Sequence, residues 1–177
     1  MSEPRLLEQR TVYTGRVLEV GIDRLRLPEG GIAELEIIRH SGGSVVLPIT
    51  DAGEILLIRQ YRYATGGWLL EAPAGKLEPG EAPESCAGRE LEEETGWRAG
   101  ELVSLGEIWT SPGFTDETLH LFLARGLQPG MQALEEAELL TVEKIPLDEA
   151  VAMALDGRIT DAKTVCGVLR AAAALGR

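Results

Sequence analysis

Apolar and polar positions alternate through the first forty residues. Arg10 to Glu19, Gly21 to Leu27 and Ile32 to His40 read as short strands, with Pro28, Gly30 and Gly31 marking a turn between the last two. Ser41-Gly42-Gly43 reads as a hinge into the rest of the chain. Beyond it, the apolar runs Ser44 to Thr50 and Glu54 to Tyr61 flank Asp51-Ala52-Gly53, which predicts a hairpin. A helix is expected from Pro83 to Glu94, since proline suits a first helical turn and Gly96 suits the position just past the end. Strands are expected at Leu102 to Trp109, Glu117 to Ala124 and Leu139 to Ile145. Helices from Leu147 to Leu155 and from Thr160 to Leu175 close the chain. Mixed strands with flanking helices predict an α/β sandwich rather than a regularly alternating parallel fold. The expected division is an N-terminal β region, residues 1–42, and a main domain, residues 43–177.

Composition narrows the class. The chain has 177 residues, long enough for a real core, and its 44% hydrophobic and 26% charged content is that of a soluble globular protein. No apolar run approaches a membrane span, and the N-terminus MSEPRLLEQR has no apolar signal region, so a cytoplasmic protein with no membrane partner is expected. Cys86 and Cys166 lack metal-type spacing and read as reduced thiols, and two histidines are too few for a His-rich zinc site. A net charge of -12 offers no basic stripe for nucleic acid. A small anion remains a possible ligand if cations stand between it and the protein.

One segment stands out chemically. Gly75 to Trp97 reads GKLEPGEAPESCAGRELEEETGW, with Glu90, Glu92, Glu93 and Glu94 crowded into the last turns of the expected helix. Negative charge there opposes the helix dipole, and like charges three and four apart repel by a few tenths of a kcal/mol each. Glu90, Glu93 and Glu94 are expected on one face. Arg89 can answer part of the charge by pairing with Glu93. The remaining carboxylates form an oxygen-only set, the kind preferred by Mg²⁺ or Mn²⁺. On charge alone a solvated acidic face is the default reading.

Spacing decides otherwise. The segment fits G-x5-E-x7-R-E-U-x-E-E-x-G-U, with U a bulky apolar residue, at Gly75, Glu81, Arg89, Glu90, Leu91, Glu93, Glu94, Gly96 and Trp97. Such a match arises by chance on the order of once in a million chains of this length, so it outweighs the default. It resembles the Nudix box, without departures.

That resemblance implies an α/β, Nudix-type α/β/α sandwich with a mixed sheet, plus a small N-terminal antiparallel sheet. It implies a loop, a helix and a second loop holding divalent metal, Mg²⁺ with Mn²⁺ as the other option, against a diphosphate. Glu90 and Glu94 would be the principal metal ligands, Ala74 would lend a backbone carbonyl, and Glu93 would be a ligand or position water. Arg89 and Glu81 would brace loop and helix through an ion pair. Divalent ions would neutralise the diphosphate, and a further carboxylate would orient or deprotonate the attacking water. Candidates for that acid lie in Ala133-Leu134-Glu135-Glu136-Ala137-Glu138.

The flanks Leu70-Glu71-Ala72-Pro73-Ala74-Gly75 and Ser111-Pro112-Gly113-Phe114-Thr115-Asp116-Glu117 are similar to those of the ADP-ribose pyrophosphatase-like subgroup, with Pro112 about sixteen residues beyond the box as its substrate marker. By the same likeness Glu136 would be the base and Glu138 a metal-side partner, with Glu135 the competitor. The N-terminal strands would form a homodimer. Arg59, Tyr61, Arg62 and Tyr63 leave a strand together; arginine clamps phosphate and tyrosine stacks on a base, the alternative being snorkelling side chains at a strand end. Glu71, Pro112 and Phe114 are further candidates on the substrate side, and Trp68 and Phe114 either line a pocket or pack. No catalytic role is expected of Arg39 or His40. The implied reaction is hydrolysis of ADP-ribose to AMP and ribose 5-phosphate. Another nucleoside diphosphate sugar, such as ADP-glucose or GDP-mannose, is the alternative. A non-catalytic binding module would be expected to show a broken box.

Overall fold

The computed structural model describes residues 2–177. They fall into two compact units, residues up to Gly42 together with Trp109–Thr118, and Gly43–Ile108 together with Leu119–Arg177. Residues 109–118, which the sequence reading places with the second segment, thus pack with the first.

The first unit is an antiparallel sheet in the order β1 (Arg5–Thr14), β2 (Leu18–Arg26), β3 (Ile32–His40). The strand expected from Arg10 to Glu19 is cut by a turn in which the Gly15 amide donates to the Leu18 carbonyl at 2.9 Å. Gly21, read as a boundary, lies inside β2 opposite Thr11 and Ile37. Val20 and Ile22 keep their alternation on either side of it, so the strand runs through the glycine. Residues 109–118 lie along β3, where the Ile38 amide donates to the Phe114 carbonyl at 2.7 Å and the His40 amide to Asp116 at 2.9 Å.

In the second unit the elements run β4 (Gly43–Pro48), β5 (Glu54–Arg62), a short 3-10 turn (Tyr63–Thr65), β6 (Gly67–Glu71), β7 (Ala74–Lys76), α1 (Pro83–Thr95), β8 (Trp97–Arg98), β9 (Glu101–Trp109), β10 (Thr118–Arg125), β11 (Gln128–Pro129), β12 (Leu140–Pro146), α2 (Leu147–Asp156) and α3 (Ala162–Ala174). One sheet, β7-β4-β10-β9, is mixed: β4 runs parallel to β10 and antiparallel to β7. A second, β12-β5-β6, is antiparallel, and β8 pairs with β11. The Asp51-Ala52-Gly53 turn forms, but β4 and β5 do not make the expected hairpin. A single Ile49–Ile55 bridge joins them before they part into different sheets. Both strands have apolar side chains on both faces, so each can be the middle strand of its own sheet rather than the partner of the other.

β4 is buried along its whole length. Its side chains alternate between two apolar clusters. Val45 and Leu47 face the main core with Leu121, Leu123 and residues of α2 and α3, while Val46 packs with Phe122 and with Ala87 and Leu91 of α1. Each fully buried leucine of this kind stabilises by about 1.5–3 kcal/mol. This is the α/β sandwich with a mixed sheet that the sequence predicts. α3 begins two residues later than expected because Asp161 caps it, accepting from the Thr164 amide at 3.0 Å.

Candidate active site

The buried stripe of α1 carries two glutamates. Cys86, Glu90 and Glu94 fall one turn apart, next to a parallel row of Ala87, Leu91 and Thr95, and both rows are buried. The second row meets the apolar cluster, while the first lies against β7. Gly75 of β7 sits over Glu90 so closely that any side chain there would occupy the carboxylate's position. One residue earlier, the Ala74 amide donates to the Glu94 carboxylate at 2.9 Å. Glu90 and Glu94 thus converge on two consecutive residues of one short strand. Glu93 is only half-buried, so the three acids expected on one face separate into two inward and one at the rim.

Arg89 holds the frame. Its Nε and one terminal nitrogen donate to the two oxygens of Glu81 at 2.9 and 3.0 Å, and its other nitrogen reaches Glu90 at 2.6 Å and Glu93 at 3.0 Å. The Arg89 guanidinium beside it draws the Glu81 carboxyl down to about 2. Glu90 and Glu94 shift the other way. Burial raises Glu90, although Arg89 opposes the rise. Burial, then the charges of Glu90 and Glu138, push Glu94 up to about 8 despite the Ala74 amide.

This is a pair of acids short of positive charge, and its donors are oxygens alone. It fits a hard divalent cation. Among the described residues no three Asp, Glu, His or Cys side chains already close into a cage. Glu90 leans on Arg89 and Glu94 on the Ala74 amide instead.

Residues 130–138 dock on the C-terminal end of α1. Gly96 adopts the left-handed conformation, φ 73°, and its amide caps the Glu92 carbonyl at 2.8 Å. The Ala133 amide takes the Glu93 carbonyl at 2.9 Å and the Gln132 side chain the Glu94 carbonyl at 2.8 Å, so the last carbonyls of the helix are satisfied by this loop. The same loop brings Glu138 near enough for its charge to bear on both Glu90 and Glu94. An oxygen of Glu138 is held by the Glu135 amide at 2.8 Å. Glu136 is exposed on the loop.

On the β5–β6 side, Arg62 grips Glu71 with two hydrogen bonds of 2.9 and 2.8 Å. Glu71, 1% exposed, is also paired with Lys163 of α3. The charge of Glu94 also bears on Arg62, which is held above its ordinary value first by its hydrogen bonds to Glu71. Arg59 is instead paired with Glu143 of β12, at 2.5 and 3.2 Å. Tyr61 meets Trp68 edge to face, centroids 5.6 Å apart, in a partly exposed pair.

The NUDIX domain family profile matches residues 39–167. The chain is a member of the NUDIX domain family. It is 37% identical over 168 residues to an ADP-ribose pyrophosphatase of Bacillus subtilis (strain 168), covering 94% of this chain and 91% of that one. It is 40% identical over 168 residues, with the same coverage, to a methanol dehydrogenase activator of Bacillus methanolicus. A GDP-mannose pyrophosphatase of Yersinia pestis (strain Pestoides F) is 36% identical over 137 residues, covering 72% of this chain and 68% of that one. A crystal structure of an ADP compounds hydrolase superposes with a TM-score of 0.88 at 25% identity, over 99% of this chain and 96% of that one.

Within this NUDIX domain the structure gathers Ala74, Glu90, Glu93, Glu94, Arg89 and Glu138, with Arg62 and Glu71 alongside. Pro112 and Phe114 belong to the other unit, where Phe114 is half-exposed and bonded through its backbone to β3. Sequence reasoning missed Lys163, Asp161, Thr164 and Gln132. Lys163 and Asp161 stand about ninety residues from Glu71, and no local pattern joins them. The one visible signal was Asp161 as a helix cap.

Proposed function

We propose that this chain hydrolyses the diphosphate linkage of ADP-ribose to AMP and ribose 5-phosphate, with Mg²⁺ the natural cation and Mn²⁺ a substitute. The observation that carries the reading is the convergence of Glu90 and Glu94 on Ala74 and Gly75, with Arg62 beyond them. Glu90, Glu94 and the Ala74 carbonyl would hold the cation, with Glu138 on its loop side. A divalent ion bound there would neutralise the diphosphate and acidify a neighbouring water. Glu93, at the rim, orients water; Arg89 keeps the acids in place; Arg62 takes an anionic oxygen of the substrate. Glu136 is the base in this reading and Glu135 its competitor. Support for the substrate comes from the ADP-ribose pyrophosphatase of Bacillus subtilis and the ADP compounds hydrolase structure.

We further propose a homodimer formed through the β1–β3 sheet, because every residue of β1 is exposed, among them Leu6, Leu7, Val12 and Tyr13. A cytoplasmic setting suits the two free thiols.

The test is product formation from ADP-ribose, ADP-glucose, GDP-mannose and a nucleoside triphosphate, with and without Mg²⁺. Metal-dependent AMP release, fastest from ADP-ribose, supports the reading. Preference for GDP-mannose, the substrate named for the Yersinia relative, would keep the chemistry and overturn the substrate. No turnover of any would overturn both.

A further inference from the structure

We infer that Lys163 is a positioning residue for substrate binding, acting through Glu71 on Arg62; this rests on the function proposed above. Glu71 is buried between two cations. Arg62 offers it Nε and one terminal nitrogen, a fork that fixes the plane of the guanidinium. Its remaining nitrogen makes no hydrogen bond to the protein among the described residues, and the side chain is 41% exposed. Lys163 reaches the same Glu71 Oε2 that the terminal nitrogen of Arg62 holds, and lies 3.1 Å from Asp161.

The pairing has two consequences. Geometrically, Lys163 pins the Glu71 carboxylate from α3, so the carboxylate cannot swing with the solvent-exposed arginine. Electrostatically, Lys163 answers much of the Glu71 charge. Burial alone would raise the Glu71 carboxyl, yet Arg62 and Lys163 together hold it below the ordinary glutamate range. With Glu71 shared, Arg62 keeps positive charge to offer an anion. Without Lys163, the arginine would be the sole answer to a buried carboxylate and would be drawn in toward it.

A second contact makes α3 a fixed base for this arrangement. The Thr164 hydroxyl accepts from the Ala72 amide at 2.7 Å and donates to Asp161, tying the segment after Glu71 to the first turn of the helix. Residues 71 and 72 are therefore held by consecutive residues of α3, two positions before Ala74.

The test is a double-mutant cycle on binding, read by calorimetry in EDTA with whichever of ADP-ribose, ADP-glucose or GDP-mannose the wild type binds best. Lys163→Met should weaken binding about tenfold, Lys163→Arg should restore most of it, and Arg62→Ala should weaken it at least as much. The combined Arg62→Ala, Lys163→Met variant should bind no worse than Arg62→Ala alone, since one residue acts through the other. In turnover with Mg²⁺, Lys163→Met should raise KM with kcat little changed. Additive losses in the cycle, or wild-type affinity in Lys163→Met, would overturn the inference while leaving the proposed function standing. A wild type that binds but never turns over would sink the proposed function alone. Thermal melts separate a folding defect, which Lys163→Arg should lack.

Discussion

The backbone amide of Ala74 donates to the carboxylate of Glu94 across twenty positions of sequence, at 2.9 Å, and ties the strand that opens the box to the last turn of its helix. The bond leaves the Glu94 carboxylate one fixed partner and a burial of 2% exposure, with no cation of the protein in hydrogen-bonding contact among the described residues.

Glu94→Gln keeps an acceptor for the Ala74 amide and removes the charge. Turnover should fall by about 10²–10³-fold or more. The fold should persist, with a thermal midpoint in metal-free buffer equal to or above that of the wild type. Unchanged kcat with Mg²⁺ would remove Glu94 from the cation site.

Gly75→Ala would place a methyl group where the Glu90 carboxylate lies. The carboxylate must move, so kcat/KM should drop about 10²-fold. The Mg²⁺ concentration needed for half-maximal rate should rise. Steady-state rates across a Mg²⁺ titration check this; an unaltered metal dependence would mean that Glu90 does not hold the cation.

Gln132→Ala removes the donor to the Glu94 carbonyl and should cost about 1 kcal/mol in stability. Residues 130–138 should then exchange amide hydrogens faster than the rest of the domain. Hydrogen exchange read residue by residue is the measurement, and equal protection in both proteins would show the loop anchored elsewhere.

Glu71 supplies the pH dependence. Its folded value is depressed by Arg62 and Lys163 against the pull of burial, so its stabilisation is fully present above the ordinary glutamate range. It is lost as pH falls through the depressed folded value. Glu71→Gln should therefore cost about 3 kcal/mol near neutral pH, where it strands two cations. The gap to the wild type should narrow below about pH 4. Urea unfolding at stepped pH would reveal the narrowing; a gap constant with pH would mean that the cost is packing alone.

Much of this was legible in the sequence because the decisive signals are local. The spacing of Glu81, Arg89, Glu90, Glu93 and Glu94 lies within one loop and one helix, and Pro83 and Gly96 mark the helix's ends. What escaped was non-local. β7 is three residues long, too short for any alternation to show, and it exists because β4 pairs with it. The separation of β4 from β5 leaves the two edges of β4 to β7 and to β10, the latter a partner 76 residues away (Gly43 with Leu119). Lys163 carries no pattern at all; its role follows from the buried carboxylate it meets. Arg59 and Arg62 look alike in sequence, and only their partners, Glu143 and Glu71, tell them apart.

The pairing of Ser44 with Gly75 and Val45 with Ala74 has a further bearing. β4 is gripped on both faces by apolar clusters, so a slip of one residue would exchange Val46 with its neighbours and turn every contact inside out. The strand cannot drift, and neither can the two backbone positions bonded to it. The spacing between that backbone and the helix acids is thus set by hydrophobic packing, in residues that never touch a substrate. A cavity-forming change such as Val46→Ala should loosen the acids from their strand before it unfolds the domain, and would be read first as weakened metal affinity.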